Sequence, residues 1–215
     1  MFFLGKHITF PPVDFADEDG LLALGGDLSV ERLIYAYQHG IFPWYNEGQP
    51  ILWFCPNPRM VLFPEELKVS KSMRQILRSN IFHVTFNHNF KSVIENCSSI
   101  YRPGQNGTWI TDEMKEAYIA LYNSNIAMSV EVWQDEELVG GLYGVWLKDK
   151  HVFCGESMFT KVSNASKFGF ITLVDKLVEL GVKLIDCQVY TDHLASLGAR
   201  EISRDEFLNY LKQEV

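Results

Sequence analysis

Residues 128–159 read MSVEVWQDEELVGGLYGVWLKDKHVFCGESMF. MSVEVWQ alternates apolar and polar side chains, as a strand with one covered face does. DEE and KDK then interrupt the apolar and aromatic runs where a chain must turn, so LVGGLYGVWL and HVFCGESMF return antiparallel to what precedes them. Downstream, SNASKFGFITLVDKLVELG carries apolar residues at helical spacing, with Ser163 or Asn164 as cap and Gly181 as stop. KLIDCQV reads as a buried strand, HLASLGA as a short helix ending at Gly198, and RDEFLNYL as a last amphipathic segment. Upstream, TDEMKEAYIALYNSN and FKSVIENCSSI read as helices, the first capped by Thr111 or Asp112. IFHVTF (81–86) reads as a strand and SKSMRQILRS (70–79) as a short helix. Residues 1–58 are rich in Pro and Gly and mix short elements. Asp27 or Ser29 caps a helix running to about His39, stopped by Gly40, and Pro43, Pro50, Pro56 and Pro58 exclude any long element after it. The expected fold is α+β, with a small N-terminal α/β domain over 1–58 and a second domain over 59–215.

The 215 residues are 47% hydrophobic, ample for a buried core. The 15 Phe, 9 Tyr and 5 Trp supply that core and can also line a pocket for flat or apolar groups. No apolar run approaches the roughly 20 residues of a membrane span, and MFFLGKHITFPPVDF lacks the basic leader and small-residue cleavage site of a signal peptide. Cys55, Cys97, Cys154 and Cys187 form no CxxC, and the six His form neither HxxxH nor HExxH. Free thiols in the cytoplasm and no metal are the expectation.

A net charge of −8 argues at first against a nucleic-acid partner. Residues 59–102, however, hold seven basic side chains (Arg59, Lys68, Lys71, Arg74, Arg78, Lys91, Arg102) against three acidic ones. Lys71, Arg74 and Arg78 share one helix face, with Lys68 just before it. A basic block on an acidic protein suits a partner with one anionic and one cationic end.

The order of helices, meander, helix, strand and short helix resembles the acetyltransferase-like (GNAT) architecture. Acyl-CoA members of that fold carry Q/R-x-x-G-x-G/A after the third meander strand, to cradle a pyrophosphate at a helix N-terminus. Here the junction reads GESMFTKVSNASK, without that pattern. GLLALGGDLSVERLIYAYQHGIFPWYNEGQPILWFCPNPR, followed in order by GTWIT, VEVWQDEELVGGLYGV, FCGESMF, NASK, LIDCQV and HLASLGA, resembles the leucyl/phenylalanyl-tRNA–protein transferase family over about Gly20 to Leu211. Members of that family often continue into a basic, aromatic tail, whereas this sequence ends LKQEV.

The resemblance implies a small N-terminal domain, a GNAT-like C-terminal domain, and transfer of Leu, Phe or, less well, Met from aminoacyl-tRNA to proteins beginning with Lys or Arg, marking them for degradation. The ester is already activated, so no ATP, metal or other cofactor is expected. Asp186 and Gln188, two apart on a strand, face one side. The resemblance makes Gln188 the acceptor of a hydrogen bond from the attacking amine and Asp186 the group that orients and polarises it. It places Glu156 beside the acceptor's N-terminus, where a carboxylate selects basic first residues. It assigns Leu142, Phe153, Phe170, Leu173, Leu177 and Ile185 to an apolar aminoacyl pocket, although Phe170, Leu173 and Leu177 also show the spacing of any core helix. It puts Trp44 and Trp109, and with them Tyr37 and Tyr118, near the 3′-terminal adenosine, where aromatic faces stack on a base. Lys68, Lys71, Arg74 and Arg78 are candidates for acceptor-stem phosphates. Two other readings compete. One is a CoA-dependent N-acyltransferase of similar fold; the other is a non-catalytic module that binds tRNA ends. A monomer, without a membrane partner, is the expectation.

Overall fold

The computed structural model describes residues 2–100 and 108–212; Arg102 of the basic block lies outside them. The first sheet is built from β1 (Phe2–Leu4), β2 (Leu21–Gly25), β3 (Phe42–Pro43) and β4 (Leu52–Phe54), in the order β1-β2-β4-β3. Between β2 and β3 runs α1 (Val30–Gln38), capped by Ser29, whose side chain accepts from the Arg32 N–H. Gly40 ends it at φ +76°, in the left-handed region where Gly carries no steric penalty. Asp27, the other candidate cap, instead takes the Arg32 guanidinium, which also donates to the Gly5 and His7 carbonyls and so fixes the N-terminal strand.

The second sheet contains β5 (Arg59–Leu62), β6 (His83–Phe86), β7 (Ala127–Gln134), β8 (Glu137–Leu147), β9 (Val152–Thr160), β10 (Leu184–Gln188) and β11 (Arg200–Ile202), in the order β11-β5-β10-β9-β8-β7-β6. β7, β8 and β9 are the antiparallel meander expected from the alternation. Helices α2 (Lys71–Leu77), α3 (Phe90–Ser99), α4 (Asp112–Asn123), α5 (Ala165–Glu179), α6 (Asp192–Ser196) and α7 (Arg204–Lys212) complete an α+β fold. One apolar cluster includes Leu22, Leu33, Trp53 and Cys55 as well as Val61, Ile94, Tyr143 and Phe207, so the two sheets share a core. None of the helices is long and apolar enough to cross a membrane among the described residues.

Two features of the second sheet position the site. β9 and β10 run parallel, which demands a crossover, and α5 provides it. Their pairing covers only Val152, Phe153 and Cys154 against Leu184, Ile185 and Asp186, whereas β9 continues beside β8 to Thr160. Beyond that short ladder the two strands diverge. At the same point β10 shifts register against β5 between Asp186 and Gln188, and Gln188 takes φ +65°, an uncommon conformation for a residue with a Cβ.

The glycines inside β8 mark close approach. A Cβ on Gly144 would lie 2.3 Å from the Cys154 carbonyl oxygen and 2.4 Å from the Phe153 ring. Gly144→Ala must therefore push β9 away or displace Phe153. It is expected to cost about 3 kcal/mol, the upper part of the overpacking range, read as a lowered urea midpoint.

Candidate active site

A cavity of about 490 Å³ opens where β9 and β10 part. Its apolar wall includes Leu142 of β8, Phe153 of β9, Phe170 of α5 and Ile185 of β10, with Met158, Phe159 and Leu194 alongside. Trp44 and Trp109 stand in the same wall, Trp44 with 40% of its surface exposed. Glu156, Gln188, Thr191, Ser166 and His193 supply the polar part.

Of the six residues expected in the apolar pocket, Leu142, Phe153, Phe170 and Ile185 line the cavity. Leu173 and Leu177 do not; both are fully buried in the core between α5 and the sheet. All three α5 side chains follow one helical face, but the strands diverge only near its N-terminal end, so Phe170 reaches the opening while the next two turns pack on closed sheet.

Tyr37 and Tyr118 also differ from expectation. Both are buried, and neither presents a ring face to the cavity. Tyr37 Oη is hydrogen-bonded to Tyr118 Oη, and Tyr118 Oη donates to Glu156 Oε2 at 2.8 Å. They are a two-tyrosine strut from α1 and α4 that holds the Glu156 carboxyl. The other oxygen, Oε1, accepts from Gln188 Nε2 at 2.9 Å. Burial pushes the Glu156 carboxyl up to about 7, against the pull of the tyrosine hydroxyls and the Gln188 amide. Burial likewise holds both phenols well above the ordinary tyrosine value, the Glu156 charge adding to it, so they stay protonated donors.

Asp186 stands behind the wall rather than in it. Its carboxylate is fully buried and grips Arg59 with both oxygens, Nε to Oδ1 at 2.8 Å and Nη2 to Oδ2 at 2.7 Å. The guanidinium is itself buried, with its third arm on the Gly40 carbonyl at 3.1 Å and the Phe42 and Phe207 rings against its faces. Asp186 Oδ1 also accepts the Gln188 backbone N–H at 3.0 Å. That bond, with the register shift, holds Gln188 in its left-handed conformation. The alternation expected to put both side chains on one face is broken there: Asp186 points into the ion pair and Gln188 toward Glu156 and the cavity.

Lys68, Lys71, Arg74 and Arg78 are all exposed, on and beside α2. None of them forms an ion pair among the described residues. Arg59, counted in the basic block of the sequence, is instead buried on Asp186 and offers no charge to a partner; Ser166 and His193 were not singled out by sequence reasoning. The only signal for Arg59 was indirect: a buried aspartate on a strand requires a cation.

Chemically, the site offers an apolar end, an exposed aromatic rim, and an amide whose donor end is engaged. An ionised Glu156 accepts only, so the Gln188 NH2 must face it, which leaves the Gln188 carbonyl oxygen to accept from an incoming group. Residues 61–212 match the sequence model described as leucyl/phenylalanyl-tRNA protein transferase, and residues 26–57 match the model of that protein's N-terminal domain. The chain is 64% identical to a leucyl/phenylalanyl-tRNA–protein transferase of Christiangramia forsetii, covering 98% of this chain and 100% of that one. It is 63% identical to the protein of the same name from Flavobacterium johnsoniae, with both chains covered completely. Among solved structures, a GCN5-related N-acetyltransferase from Kribbella flavida is a distant likeness, with a TM-score of 0.41 and 11% identity over 80% of this chain and 60% of that one.

Proposed function

The chain belongs to the leucyl/phenylalanyl-tRNA protein transferase family, a family of aminoacyltransferases, and from that premise we propose that it transfers leucine, phenylalanine and, less well, methionine from aminoacyl-tRNA to proteins whose first residue is Lys or Arg. The observation that carries this reading is the hydrogen-bonded Glu156–Gln188 pair in the wall of a largely apolar cavity. The donor's side chain enters among Leu142, Phe153, Phe170 and Ile185. Such a pocket accepts apolar groups of different shape, because it discriminates by only about 1–3 kcal/mol per methylene. The terminal adenosine rests on Trp44 and Trp109. The acceptor's basic first residue is drawn to Glu156.

The acceptor's α-amine then attacks the ester carbonyl. A C–N bond forms, the bond to the ribose oxygen breaks, and the amine's proton passes to that oxygen, which leaves as a hydroxyl. With an α-amine pKa of about 7.7–8.0, a useful fraction is neutral at pH 7. Alignment therefore carries much of the rate. The Gln188 carbonyl accepts an amine N–H and fixes the approach, while Asp186 acts through the Gln188 backbone. The proposal needs neither ATP nor a metal. The modified protein is marked for degradation, and the reaction runs in the cytoplasm.

The direct test mixes labelled Leu-tRNA or Phe-tRNA with a protein beginning with Arg, without ATP. Label in protein is the expected result. No transfer, together with tight binding of acetyl-CoA, would favour the CoA-dependent reading.

Two variants bear on the tRNA. Trp44→Ala is expected to raise KM for aminoacyl-tRNA by roughly 5- to 150-fold, the equivalent of about 1–3 kcal/mol of stacking on one base, while KM for the acceptor stays put. Replacing Lys71, Arg74 and Arg78 together by Ala should weaken tRNA binding irrespective of sequence. It should also flatten the slope of log affinity against log salt by about 1 for each phosphate no longer neutralised, measured by filter binding across a salt series.

A further inference from the structure

Ser166 takes no part in the chemistry above, yet it lines the cavity. It lies in the first turn of α5, one turn before Phe170 on the same helical face. A serine or threonine in a helix can bond the carbonyl one turn back, as Thr172 of this helix does with the Phe168 carbonyl. For Ser166 that carbonyl is Val162, which already accepts from the Ala165 N–H at 3.1 Å and from Thr160 Oγ1 at 2.7 Å. Ser166 Oγ is therefore left without a hydrogen-bond partner among the described residues, in a residue only 8% exposed. It is not sealed off from solvent, as the unpartnered His193 Nε2 is, so the hydroxyl opens on the cavity that the residue lines. A polar group so deeply buried is costly to leave unpaired. The helix end around it is also electrically uncompensated. Asn164 makes no side-chain cap, and the first turn holds no Asp or Glu, so the positive end of the helix dipole stands bare. Lys167 adds a full charge beside it. That charge reaches the cavity wall: after burial, it is what lowers the pKa of His193.

Attack of a neutral amine on an ester carbonyl creates two charges at once. As the C–N bond forms, the nitrogen becomes positive, and the carbonyl π pair moves to the oxygen, which becomes negative. The cavity has a pole for each. Glu156 and the Gln188 carbonyl, on β9 and β10, face the nitrogen; the N-terminus of α5 is the positive pole. We propose that Ser166 Oγ donates a hydrogen bond to the oxygen of the donor's ester carbonyl and holds the negative charge that develops there, with the N-terminus of α5 and Lys167 behind it. The helix supplies the placement. Residues one turn apart have Cβ atoms about 5–6 Å from each other, and a donor side chain resting on Phe170 carries its carbonyl carbon two bonds beyond its Cβ. The donor's own α-amino group is a poorer recipient, because its protonated form is repelled by the same positive pole. Collapse of the intermediate re-forms the carbonyl, breaks the bond to the ribose oxygen and passes the nitrogen's proton to that oxygen, so the serine keeps its own proton throughout. A donor already oriented toward the developing charge accelerates the step without tightening the ground state. This deepens the aminoacyl-transfer reading above and rests on it.

The experiment measures transfer from Phe-tRNA to an Arg-initiated peptide by wild type, Ser166→Ala and Ser166→Cys, with the urea midpoint of each protein determined alongside. Transfer by wild type tests the underlying activity separately; its absence would strike that reading before the serine is considered. Ser166→Ala is expected to lose at least about 100-fold in kcat, the lower end of what removal of one such donor costs, while KM for Phe-tRNA and for the peptide stays within about threefold. Ser166→Cys keeps nearly the same shape but offers only a weak S–H donor, and its kcat should fall between the two. It also decides the matter if the alanine variant does not fold. Binding of Phe-tRNA in the absence of acceptor, read by filter retention, should be the same for all three proteins within that threefold. A folded variant with wild-type kcat overturns the proposal. So does a loss that appears wholly in KM or in retention of Phe-tRNA, which would place the hydroxyl on a group whose charge does not change in the reaction.

Discussion

Arg59→Met is expected to cost about 3–5 kcal/mol of folding stability, the penalty of leaving a buried carboxylate without its cation. Asp186 has no second partner of positive charge among the described residues: both oxygens lie on Arg59, and Oδ1 also accepts the Gln188 N–H. The loss should appear as a large drop in the urea midpoint. The double variant Arg59→Met with Asp186→Leu replaces the pair by apolar side chains of similar bulk. Its stability is expected to return to within about 1 kcal/mol of wild type, since such exchanges are often neutral. Turnover, measured under single-turnover conditions, should not return, because Gln188 has lost the acceptor that holds its backbone in the left-handed region. If transfer recovers along with stability, Asp186 serves the fold alone and has no part in placing Gln188.

Glu156→Gln is expected to stabilise the protein at pH 8 while impairing it as an enzyme. The Glu156 carboxyl is raised from 4.5 to about 7 by burial. Below about pH 4.5 both folded and unfolded chains hold the proton, and the group contributes no difference. Between 4.5 and 7 the unfolded chain releases it while the folded chain retains it, so stability falls as pH rises. Above 7 the whole cost is present, on the order of 3 kcal/mol. A glutamine carries no such cost. Denaturant titrations of the two proteins should nearly coincide at pH 4.5 and separate by that amount at pH 8. At pH 8, where the wild-type carboxyl is ionised, Glu156→Gln should lose at least about tenfold in kcat/KM for Arg-initiated acceptors, the worth of a charge-assisted hydrogen bond, and much less for its tRNA donor. A variant that is no more stable at pH 8 would show that the carboxyl is solvated when ionised.

The contrast between what the sequence revealed and what it concealed follows the range of the interactions. The meander, α3, α4 and α5 were legible because alternation, helical spacing and caps such as Thr111 are local signals. The strands of the first sheet were not. β3 is two residues long and β1, β2 and β4 are three to five, in a proline-rich stretch where only pairing across the sheet makes them strands. RMVL at 59–62 lacks alternation because β5 is covered on both faces, and a fully buried short strand leaves no period to read. Within the site, Gln188, Glu156 and the four cavity-lining apolar residues were named by position in motifs. The Arg59–Asp186 pair spans 127 residues and the Tyr37–Tyr118 contact 81, so neither leaves a trace in any window of sequence. The same folding that joins them converts two expected stacking surfaces into a strut, and one expected catalytic contact into a brace.

That strut reaches Glu156 from outside the strands that frame the cavity. Tyr37 and Trp44 are supplied by the opening fifth of the polypeptide, whereas Glu156 and Gln188 come from its last third. The acidity of the Glu156 carboxyl and the rim beside it are thus joint properties of distant stretches of chain. Evolution cannot shuffle the opening segment as an independent cassette without resetting the charge on which selection of a basic N-terminus would depend.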